Sequence, residues 1–390
     1  DNDFDPVADQ TVTATTTDND VAGFTVTETG GSTAVAETGT TDTFTVVLTA
    51  QPAADVVLTV TADANDEASV APSSLSFTPA NWNTPQTVTV TGVDESLVDG
   101  DQQSTITVAV LDQASDSNFT DAPDRTVSVS TTDNDVAGFT VTETDGSTTV
   151  AESGSTDTFT VVLTAQPTSD VVLTITSSDT GESTVNTPLT FTNANWNTPQ
   201  TVTVTGVDDD LIDGTIASTI TVSVSDSVSN DSFDNLADQV VSASTTDDDS
   251  AGFTIVETNG STGVSETGTT DTFTVVLTAQ PTSDVVLTFT SDDTGEATVT
   301  GTLTFTSANW DTPQTVTVTG VDDDIIDGGL NRTVPVTRIT VAVDDANSDD
   351  NFDPVADDTV FATTADDDEP GFTIVESNGS TEVDESGTTD

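Results

Sequence analysis

The chain has 390 residues, of which 69 are Asp or Glu and three are Lys or Arg, so its formal net charge is −66. So negative a chain is excluded as a partner of nucleic acids or anionic membrane surfaces, which require clustered Lys and Arg. The absence of Cys and His excludes disulfides, thiolate nucleophiles and histidine ligands, and no apolar run reaches the roughly 18 residues of a membrane-inserting helix. High charge with 33% hydrophobic residues would by itself be typical of disorder.

A tandem repeat argues for order instead. Trp82, Trp196 and Trp310 lie in the same sequence motif, Ala-Asn-Trp-Asn/Asp-Thr-Pro-Gln, at intervals of 114 residues. A Gly-Phe-Thr motif recurs at Gly23, Gly138, Gly252 and Gly371. A period of about 115 residues is a common domain size, so each unit is predicted to be a whole domain.

The repeats divide the chain into complete units and fragments. The predicted boundaries are 1–20 for the end of a preceding repeat, 21–135, 136–249 and 250–368 for three β-sandwich repeats, and 369–390 for the start of a further one. We therefore expect the chain to be a segment of a longer array.

Alternation of apolar and polar residues predicts the β-strands within a unit. In the first unit we expect strands near 23–28, 42–49, 55–61, 74–78, 86–93, 104–111 and 125–131. The strands near 42–49 and 55–61 are predicted to pair as a hairpin, bounded by Gln51-Pro52 and Asp55. About seven alternating strands without helical periodicity predict an all-β fold, a tandem array of immunoglobulin-like antiparallel β-sandwiches.

Aromatic residues are predicted to be structural. Phe24, Phe44 and Phe77 are core candidates because they lie on the apolar face of predicted strands. Trp82 and its equivalents could form a carbohydrate platform, but packing at a strand corner is the favoured interpretation because single aromatics in repeats usually anchor cores.

The acids collect where strands end, in three positions that recur with the repeat. The first position follows the Thr-Val-Thr-Val-Thr-Gly-Val strand and contains Asp94, Glu95 and Asp99, then Asp208, Asp209, Asp210 and Asp213, then Asp322, Asp323, Asp324 and Asp327. The second precedes Gly-Phe-Thr and contains Asp133 and Asp135, then Asp247, Asp248 and Asp249, then Asp366, Asp367 and Asp368. The third ends the opening strand and contains Glu28, Glu143 and Glu257.

These acids are predicted to bind calcium. In an antiparallel sandwich the loops can reach one end, near the next unit, where uncompensated carboxylates would repel each other. Ca²⁺ takes six to eight oxygen ligands and tolerates irregular carboxylate cages. We therefore expect several calcium ions per repeat and no other cofactor.

The sequence from Val207 to Asp213, Val-Asp-Asp-Asp-Leu-Ile-Asp, together with Thr246 to Thr254, resembles the Calx-beta domain. That family occurs in sodium–calcium exchangers and in tandem arrays of large bacterial surface and adhesion proteins. The resemblance implies an immunoglobulin-like sandwich that binds several Ca²⁺ at one end. It implies as ligands Asp208, Asp209, Asp210 and Asp213, Asp247, Asp248 and Asp249, and Glu143, with equivalents in the other units. The first unit departs from the pattern at Asn134 and at Glu95-Ser96, so we expect fewer or weaker ions there.

The function predicted from these features is an extracellular, bacterial cell-surface array, a rod or filament segment that calcium at the junctions makes rigid. Its partners would be calcium ions, neighbouring repeats and other copies of the chain. A calcium-sensing regulatory role remains open, as does an acidic stalk without specific metal sites. Paired carboxylates suffice for glycoside hydrolysis, but the units repeat the same acids and the chain has no His, Tyr or Cys, so we predict no enzyme.

Overall fold

The computed structural model describes residues 8–65, 67–326, 335–376, 379 and 385–386. In this part of the chain the regular elements are β-strands and short 3₁₀ turns, and there is no helix with the length and hydrophobicity needed to cross a bilayer. The 3₁₀ turns occupy Thr29–Gly31, Asp112–Ala114, Thr144–Gly146, Asp226–Val228, Asp231–Phe233 and Thr258–Gly260.

The strands fall into three similar sets. The first set comprises β1 (Phe24–Glu28), β2 (Thr33–Ala36), β3 (Thr41–Leu48), β4 (Val56–Ala62), β5 (Ala68–Ala71), β6 (Ser74–Phe77), β7 (Gln86–Gly92), β8 (Leu97–Val98), β9 (Gln102–Val110) and β10 (Arg125–Thr132). The second set comprises β11 (Phe139–Glu143), β12 (Thr148–Ala151), β13 (Thr156–Leu163), β14 (Gln166–Pro167), β15 (Val171–Ser177), β16 (Ser183–Val185), β17 (Leu189–Phe191), β18 (Gln200–Gly206), β19 (Ile216–Val224) and β20 (Gln239–Thr246). The third set comprises β21 (Phe253–Glu257), β22 (Thr262–Ser265), β23 (Thr270–Leu277), β24 (Val285–Ser291), β25 (Ala297–Val299), β26 (Thr302–Phe305), β27 (Gln314–Gly320), β28 (Val336–Val343) and β29 (Asp358–Ala365).

Each set builds one sandwich from a four-stranded and a five-stranded sheet. The orders are β1-β3-β7-β5 and β2-β10-β9-β4-β6, then β11-β13-β18-β16 and β12-β20-β19-β15-β17, then β21-β23-β27-β25 and β22-β29-β28-β24-β26. We refer to these sandwiches as units 1, 2 and 3. The predicted fold class, a tandem array of immunoglobulin-like β-sandwiches, is confirmed.

The strand inventory corrects the sequence prediction in two respects. All seven strands expected in unit 1 are present, but β2, β5 and β8 were missed: β2 and β5 each have a single Val among Ala, Ser and Thr, and β8 has two residues. The sheets are also not wholly antiparallel, since β2 pairs with β10 in parallel, with Thr33 opposite Val129.

The predicted hairpin between the second and third expected strands is wrong. β3 pairs with β1 and β7 in one sheet, whereas β4 pairs with β6 and β9 in the other. The connection through Gln51 and Pro52 therefore passes from sheet to sheet. Residues 49–55 exceed the two to five residues usual in hairpin loops, and such a length permits the crossing.

Alternate residues of the strands fill the space between the sheets. The expected core residues Phe24, Phe44 and Phe77 are buried. Trp82 packs against the edge of this core, and its carbonyl oxygen accepts a hydrogen bond from the Leu48 amide at 3.2 Å. These contacts support the interpretation that the tryptophan motif packs at a strand corner.

Candidate metal centre

One end of each sandwich collects carboxylates from four separate segments. In unit 1 these are the turn after β2, the residue before β5, the loop after β7 and the segment after β10. Because β2 and β10 run in parallel, both end at the same edge, and the Glu37 amide continues their ladder with a 3.2 Å bond to the Thr132 carbonyl. We call the end that carries Glu37, Glu152 or Glu266 the carboxylate pole, and the loop after β7, β18 or β27 the Asp-rich loop.

A glycine lets the strands approach closely enough to bring these segments together. A Cβ atom on Gly92, the last residue of β7, would overlap the carbonyl oxygen of Ala36. Gly206 and Gly320 stand in the same relation to Ala151 and Ser265. The residue after each of these carbonyls is the pole glutamate, so the glycine sets how near that glutamate lies to the Asp-rich loop.

In unit 1 the carboxylates form two groups that share Glu37. One oxygen each of Glu37, Asp133 and Asp135 lie within 4.8 Å of one another, and so do oxygens of Glu37, Glu95 and Asp99. Shared carboxylates are a common way to hold adjacent divalent cations, because each oxygen can accept a separate metal bond.

Unit 2 repeats the arrangement, and the described residues of unit 3 contain one of the two groups. Glu152 belongs to one group with Asp209 and Asp249 and to another with Glu182 and Asp213. In unit 3 one group is formed by Glu266, Asp366 and Asp368. Every group draws its carboxylates from a single unit, so the acids themselves do not span the junction.

The pole glutamates are buried without a sufficient set of hydrogen-bond donors. Glu37 is 0% exposed and its Oε1 has no partner, and Glu152 is 1% exposed with no well-formed hydrogen bond to either oxygen, only a weak contact from the Asp248 amide. Glu266 is 1% exposed and its Oε1 is also unpartnered. Burying an ionised carboxylate without partners costs several kcal/mol or more, so these groups call for a cation or a proton.

Backbone amides hold the segment after the last strand in a fixed shape. Asp247 accepts hydrogen bonds from the amides of Asp249 at 2.7 Å and Gly214 at 2.8 Å, which ties this segment to the Asp-rich loop. In unit 1, Asp133 makes the same bonds, both at 2.7 Å, with Asp135 and Gly100. The backbone N–H of the middle residue donates to the pole glutamate: Asn134 N–H to Glu37 Oε2 at 3.0 Å, and Asp367 N–H to Glu266 Oε2 at 3.2 Å.

Burial and mutual repulsion raise the pKa values of the grouped acids. Burial, followed by the charges of Asp247 and Asp209, raises the pKa of Glu152 to about 7. Burial and the charge of Asp99 raise the pKa of Glu95 to about 7 as well. The pKa values of Glu37 and Glu266 are raised too, with burial as the largest cause. Groups that resist ionisation together in this way are typical of functional sites.

The structure brings together only part of the predicted site. The grouped members of that prediction are Glu95, Asp99, Asp133, Asp135, Asp209, Asp213, Asp249, Asp366 and Asp368. Predicted residues outside the groups that lie exposed at the pole are Asp94, Asp208, Asp210, Asp248, Asp322, Asp324 and Asp367. Asp247 and Asp323 act as hydrogen-bond acceptors within the segments, and Asp327 lies outside the described residues.

The glutamates expected from the opening strand are not in the groups. Glu143 ends β11 and accepts a hydrogen bond from Thr148 Oγ1 at 3.2 Å, and Glu28 and Glu257 are held in the same way by Thr33 and Thr262. The middle position of the Asp triplet lies outside the groups in all three units, so Asn134 does not interrupt a group in unit 1.

Sequence reasoning missed two recurring glutamates of the pole. Glu37, Glu152 and Glu266 follow β2 and its equivalents, and Glu67, Glu182 and Glu296 precede β5 and its equivalents. Both sets recur in phase with the repeat, in Glu-Thr/Ser-Gly and Glu-Ala/Ser contexts. That recurrence was the available signal, but a single Glu beside a short strand has no special pattern of its own.

The donor set fits a hard divalent cation. Every grouped ligand atom is a carboxylate oxygen, and oxygen-only sites suit Ca²⁺ or Mg²⁺ better than zinc or copper. Each group mixes side chains from two or three irregular segments, an arrangement that favours Ca²⁺, because Mg²⁺ demands near-ideal octahedral geometry.

The Asp-rich loop also contacts the next unit. Leu97 and Val98 pair in parallel with Gln166 and Pro167, and Val98 packs against the core of unit 2. At the second junction, Leu211 forms an isolated bridge with Gln280, and Ile212 packs against the core of unit 3. The same short loop therefore carries metal-competent carboxylates and an inter-unit contact.

No known protein-family model matches the chain. No curated protein matches it. Among solved structures, an I-band fragment from titin is 10% identical with a TM-score of 0.26, over 89% of this chain and 99% of that one. The calcium binding domain CBD12 of CALX1.1 is 15% identical with a TM-score of 0.23, over 52% and 80%. Domains 4–9 of the surface layer protein SbsC are 17% identical with a TM-score of 0.23, over 88% and 50%. Similarities at this level assign no function to the chain.

Proposed function

We propose that the chain is a structural repeat array of an extracellular surface, in which calcium bound at each carboxylate pole fixes one unit relative to the next. The observation that carries this proposal is Glu152, a carboxylate that is 1% exposed, is shared by two carboxylate groups and is offered only a weak contact from the Asp248 amide to balance its charge. A solvated acidic stalk would not bury that residue, because hydration is then the only compensation for its charge.

Calcium would act on the junction through the segment that links the units. Asp249 is a grouped carboxylate, and three residues later the Gly252 carbonyl accepts a 2.9 Å bond from the Thr278 amide of unit 3. Thr278 Oγ1 also donates to the Ser250 carbonyl at 2.9 Å. Fixing Asp249 on a cation leaves the chain little freedom before it joins the next sandwich.

An extracellular location is part of this proposal and is supported by the affinity usual for extracellular calcium modules. Extracellular calcium modules bind at about 10⁻⁴–10⁻³ M, so they are filled outside the cell and largely empty in the cytosol. A ligand at 100 times its Kd stabilises the folded state by about 2.7 kcal/mol. Calcium would thus both stabilise the units and stiffen the array, and adhesion or filament formation would use that rod.

The test compares the full chain with calcium and with chelator. We expect calcium to raise the melting temperature. In small-angle X-ray scattering, the pair-distance distribution with calcium should be that of a single extended particle, not that of a mixture of bent and straight arrays. Magnesium at equal concentration and equal ionic strength is the control for charge screening. If neither the melting temperature nor the scattering differs between calcium and chelator, the proposal fails.

A further inference from the structure

The chain enters and leaves unit 2 at opposite ends of the sandwich. It enters at Gly138, whose carbonyl accepts a 2.9 Å bond from the Thr164 amide at the far end of β13. It leaves after Thr246, the last residue of β20, at the carboxylate pole. Tension along the array therefore pulls the first strands of the unit and its last strand in opposite directions along their axes.

The strands that such tension displaces are neighbours in one sheet. β12 pairs in parallel with β20, with Thr148 opposite Ala243 and Ala151 opposite Thr246. The Glu152 amide extends this ladder with a 3.1 Å bond to the Thr246 carbonyl. The bonds of a parallel ladder are evenly spaced between the strands, so tension along the strands loads them together instead of one after another. Units 1 and 3 contain the same parallel pair, β2 with β10 and β22 with β29.

One carboxylate group joins the ends of this strand pair. Glu152 directly follows β12 and Asp249 lies in the segment after β20, and Asp209 of the Asp-rich loop completes their group. We call this the strand-spanning group. It recurs in the other units as Glu37, Asp133 and Asp135, and as Glu266, Asp366 and Asp368.

The second group of unit 2 does not link the two strands. It consists of Glu152, Glu182 and Asp213, none of which lies in the segment after β20. A cation in this group therefore ties β12 to the Asp-rich loop and leaves β20 free to slide. Because both groups share Glu152, unit 2 provides an internal comparison between a site that bridges the strand pair and one that does not.

We propose that the parallel pair of first and last strands bears the load when the array is pulled, and that a cation on the strand-spanning group reinforces it. The cation is the calcium of the proposed function, on which this reinforcement rests. Through the cation, force on Asp249 passes to Glu152, so β20 slides along β12 only after a metal–oxygen bond has broken. The array then resists extension as well as bending.

Unit 2 can be stretched by itself within the full chain. The chain has no Cys, so Val136→Cys and Ser250→Cys place handles on two exposed residues that flank the unit. A ligand at about 100 times its Kd multiplies the ratio of folded to unfolded protein by about 100, and interactions that break before the transition state act on the unfolding rate. In optical tweezers at constant force, we expect calcium to lengthen the lifetime of the folded unit by about 10- to 100-fold relative to chelator.

Two matched variants assign the effect to one group. Asp249→Asn alters the strand-spanning group and Asp213→Asn alters the second group, and each replaces one carboxylate by an amide of the same shape. We expect each variant to bind one calcium ion fewer in calorimetric titration. Asp249→Asn should abolish the calcium-dependent gain in lifetime under force, whereas Asp213→Asn should retain it. Equal losses of lifetime in both variants would contradict the role of the strand-spanning group.

The direction of pulling tests the strand pair without calcium. Handles on Ser153→Cys and Ser250→Cys, both exposed positions, separate β12 from β20 sideways at the carboxylate pole, so the ladder bonds break one at a time. In chelator we expect a lifetime severalfold shorter than with handles on Val136→Cys and Ser250→Cys at the same force. Equal lifetimes in the two directions would show that the strand pair does not bear the load.

The outcomes separate this proposal from the proposed function. Calcium that binds in calorimetry and raises the melting temperature but leaves the lifetime under force unchanged would overturn the reinforcement alone. A chain that binds no calcium would overturn the proposed function and the reinforcement together. The load-bearing role of the strand pair would still be decided by the two pulling directions in chelator.

Discussion

At the scale of single residues, the shared glutamate decides how the carboxylate pole behaves. Glu152 takes part in both groups of unit 2, and Glu37 does the same in unit 1. In its ionised form such a residue is unfavourable in the metal-free state and favourable once a cation is bound, because burial removes the hydration of the carboxylate and the cation replaces it.

Replacing that residue separates the two states. We expect Glu152→Gln to reduce the number of calcium ions bound at saturation and to diminish the rise in melting temperature caused by calcium. In chelator the same substitution should raise the melting temperature slightly, because the amide removes a buried charge while keeping the volume. Calorimetric titration and thermal unfolding, each with and without calcium, measure both effects.

Glu143→Gln is the matched control for this substitution. Glu143 ends β11 in the same unit and was a ligand expected from sequence, but it bonds Thr148 and joins no carboxylate group. Calcium binding should be unchanged by it. Equal losses of calcium from both variants would mean that the groups formed around Glu152 are not the binding sites.

The raised pKa values predict how stability without calcium depends on pH. Glu152 and Glu95 titrate at about 7 in the folded chain, above the ordinary glutamate value of 4.5. The folded state therefore holds more protons than the unfolded state between these values, so stability falls as pH rises through this window. In chelator we expect a lower melting temperature at pH 8 than at pH 5.

Calcium should remove or reverse this pH dependence, because it replaces the protons on the ionised carboxylates. Glu152→Gln should weaken the dependence in chelator, since it deletes one of the titrating groups. A melting temperature in chelator that rises from pH 5 to pH 8 would contradict the burial of these acids.

At the scale of elements, the sequence predicts the sandwich better than the metal centre. Alternation of apolar and polar residues is a local signal, and most of the seven expected strands of unit 1 carry it. β2 and β5 were missed because each has a single Val among Ala, Ser and Thr, whereas the equally short β6 alternates Ser with Leu and Phe. Glu37 belongs to the pole only because β2 pairs with β10, a non-local contact that no local pattern encodes.

The hairpin error has the same origin. The runs that become β3 and β4 are more uniformly apolar than the other strands, with Val46-Val47-Leu48 in one and Val56-Val57-Leu58 in the other. Their pattern therefore does not say which sheet each strand joins. Which sheet a strand joins is decided by the register of distant strands, such as Phe44 of β3 opposite Val88 of β7. In units 2 and 3 the connection that makes this crossing, at Gln166 and Gln280, contacts the Asp-rich loop of the preceding unit.

The close approach of β18 to β12 gives a prediction at this scale. A Cβ on Gly206 would overlap the Ala151 carbonyl, so Gly206→Ala must push β12 and Glu152 away from the Asp-rich loop. Overpacking of this kind typically costs about 1–3 kcal/mol. We expect a lower free energy of unfolding and weaker calcium binding, measured by denaturant titration at saturating and at zero calcium.

Gly301→Ala is the control for the glycine substitution, because nothing lies within 4 Å of a Cβ at Gly301 and its backbone needs no left-handed conformation. It should leave calcium binding unchanged. Wild-type stability and calcium affinity in Gly206→Ala would show that the strand contact does not position the glutamate.

At the scale of the whole molecule, the net charge of −66 is concentrated at the ends of the units. The strands carry mainly Thr, Val and Ser, while the grouped acids gather at each carboxylate pole beside the next unit. Like charges concentrated at a junction repel each other and so oppose a fixed contact between consecutive units. Divalent ions on these groups would reverse that effect. The same residues would then provide solubility without calcium and rigidity with it.

The number of groups gives a stoichiometry. Five groups occur in the described residues, two in unit 1, two in unit 2 and one in unit 3. If each binds one ion, native mass spectrometry of the full chain in calcium should show at least five bound ions, and these would reduce the net charge from −66 to −56. Glu152→Gln should bind two ions fewer, because Glu152 belongs to two groups.

Magnesium should give lower occupancy, because it gives up its waters reluctantly and requires octahedral geometry. Equal occupancy by both metals, or an unchanged count in Glu152→Gln, would indicate diffuse counterion binding to the acidic surface instead of formed sites.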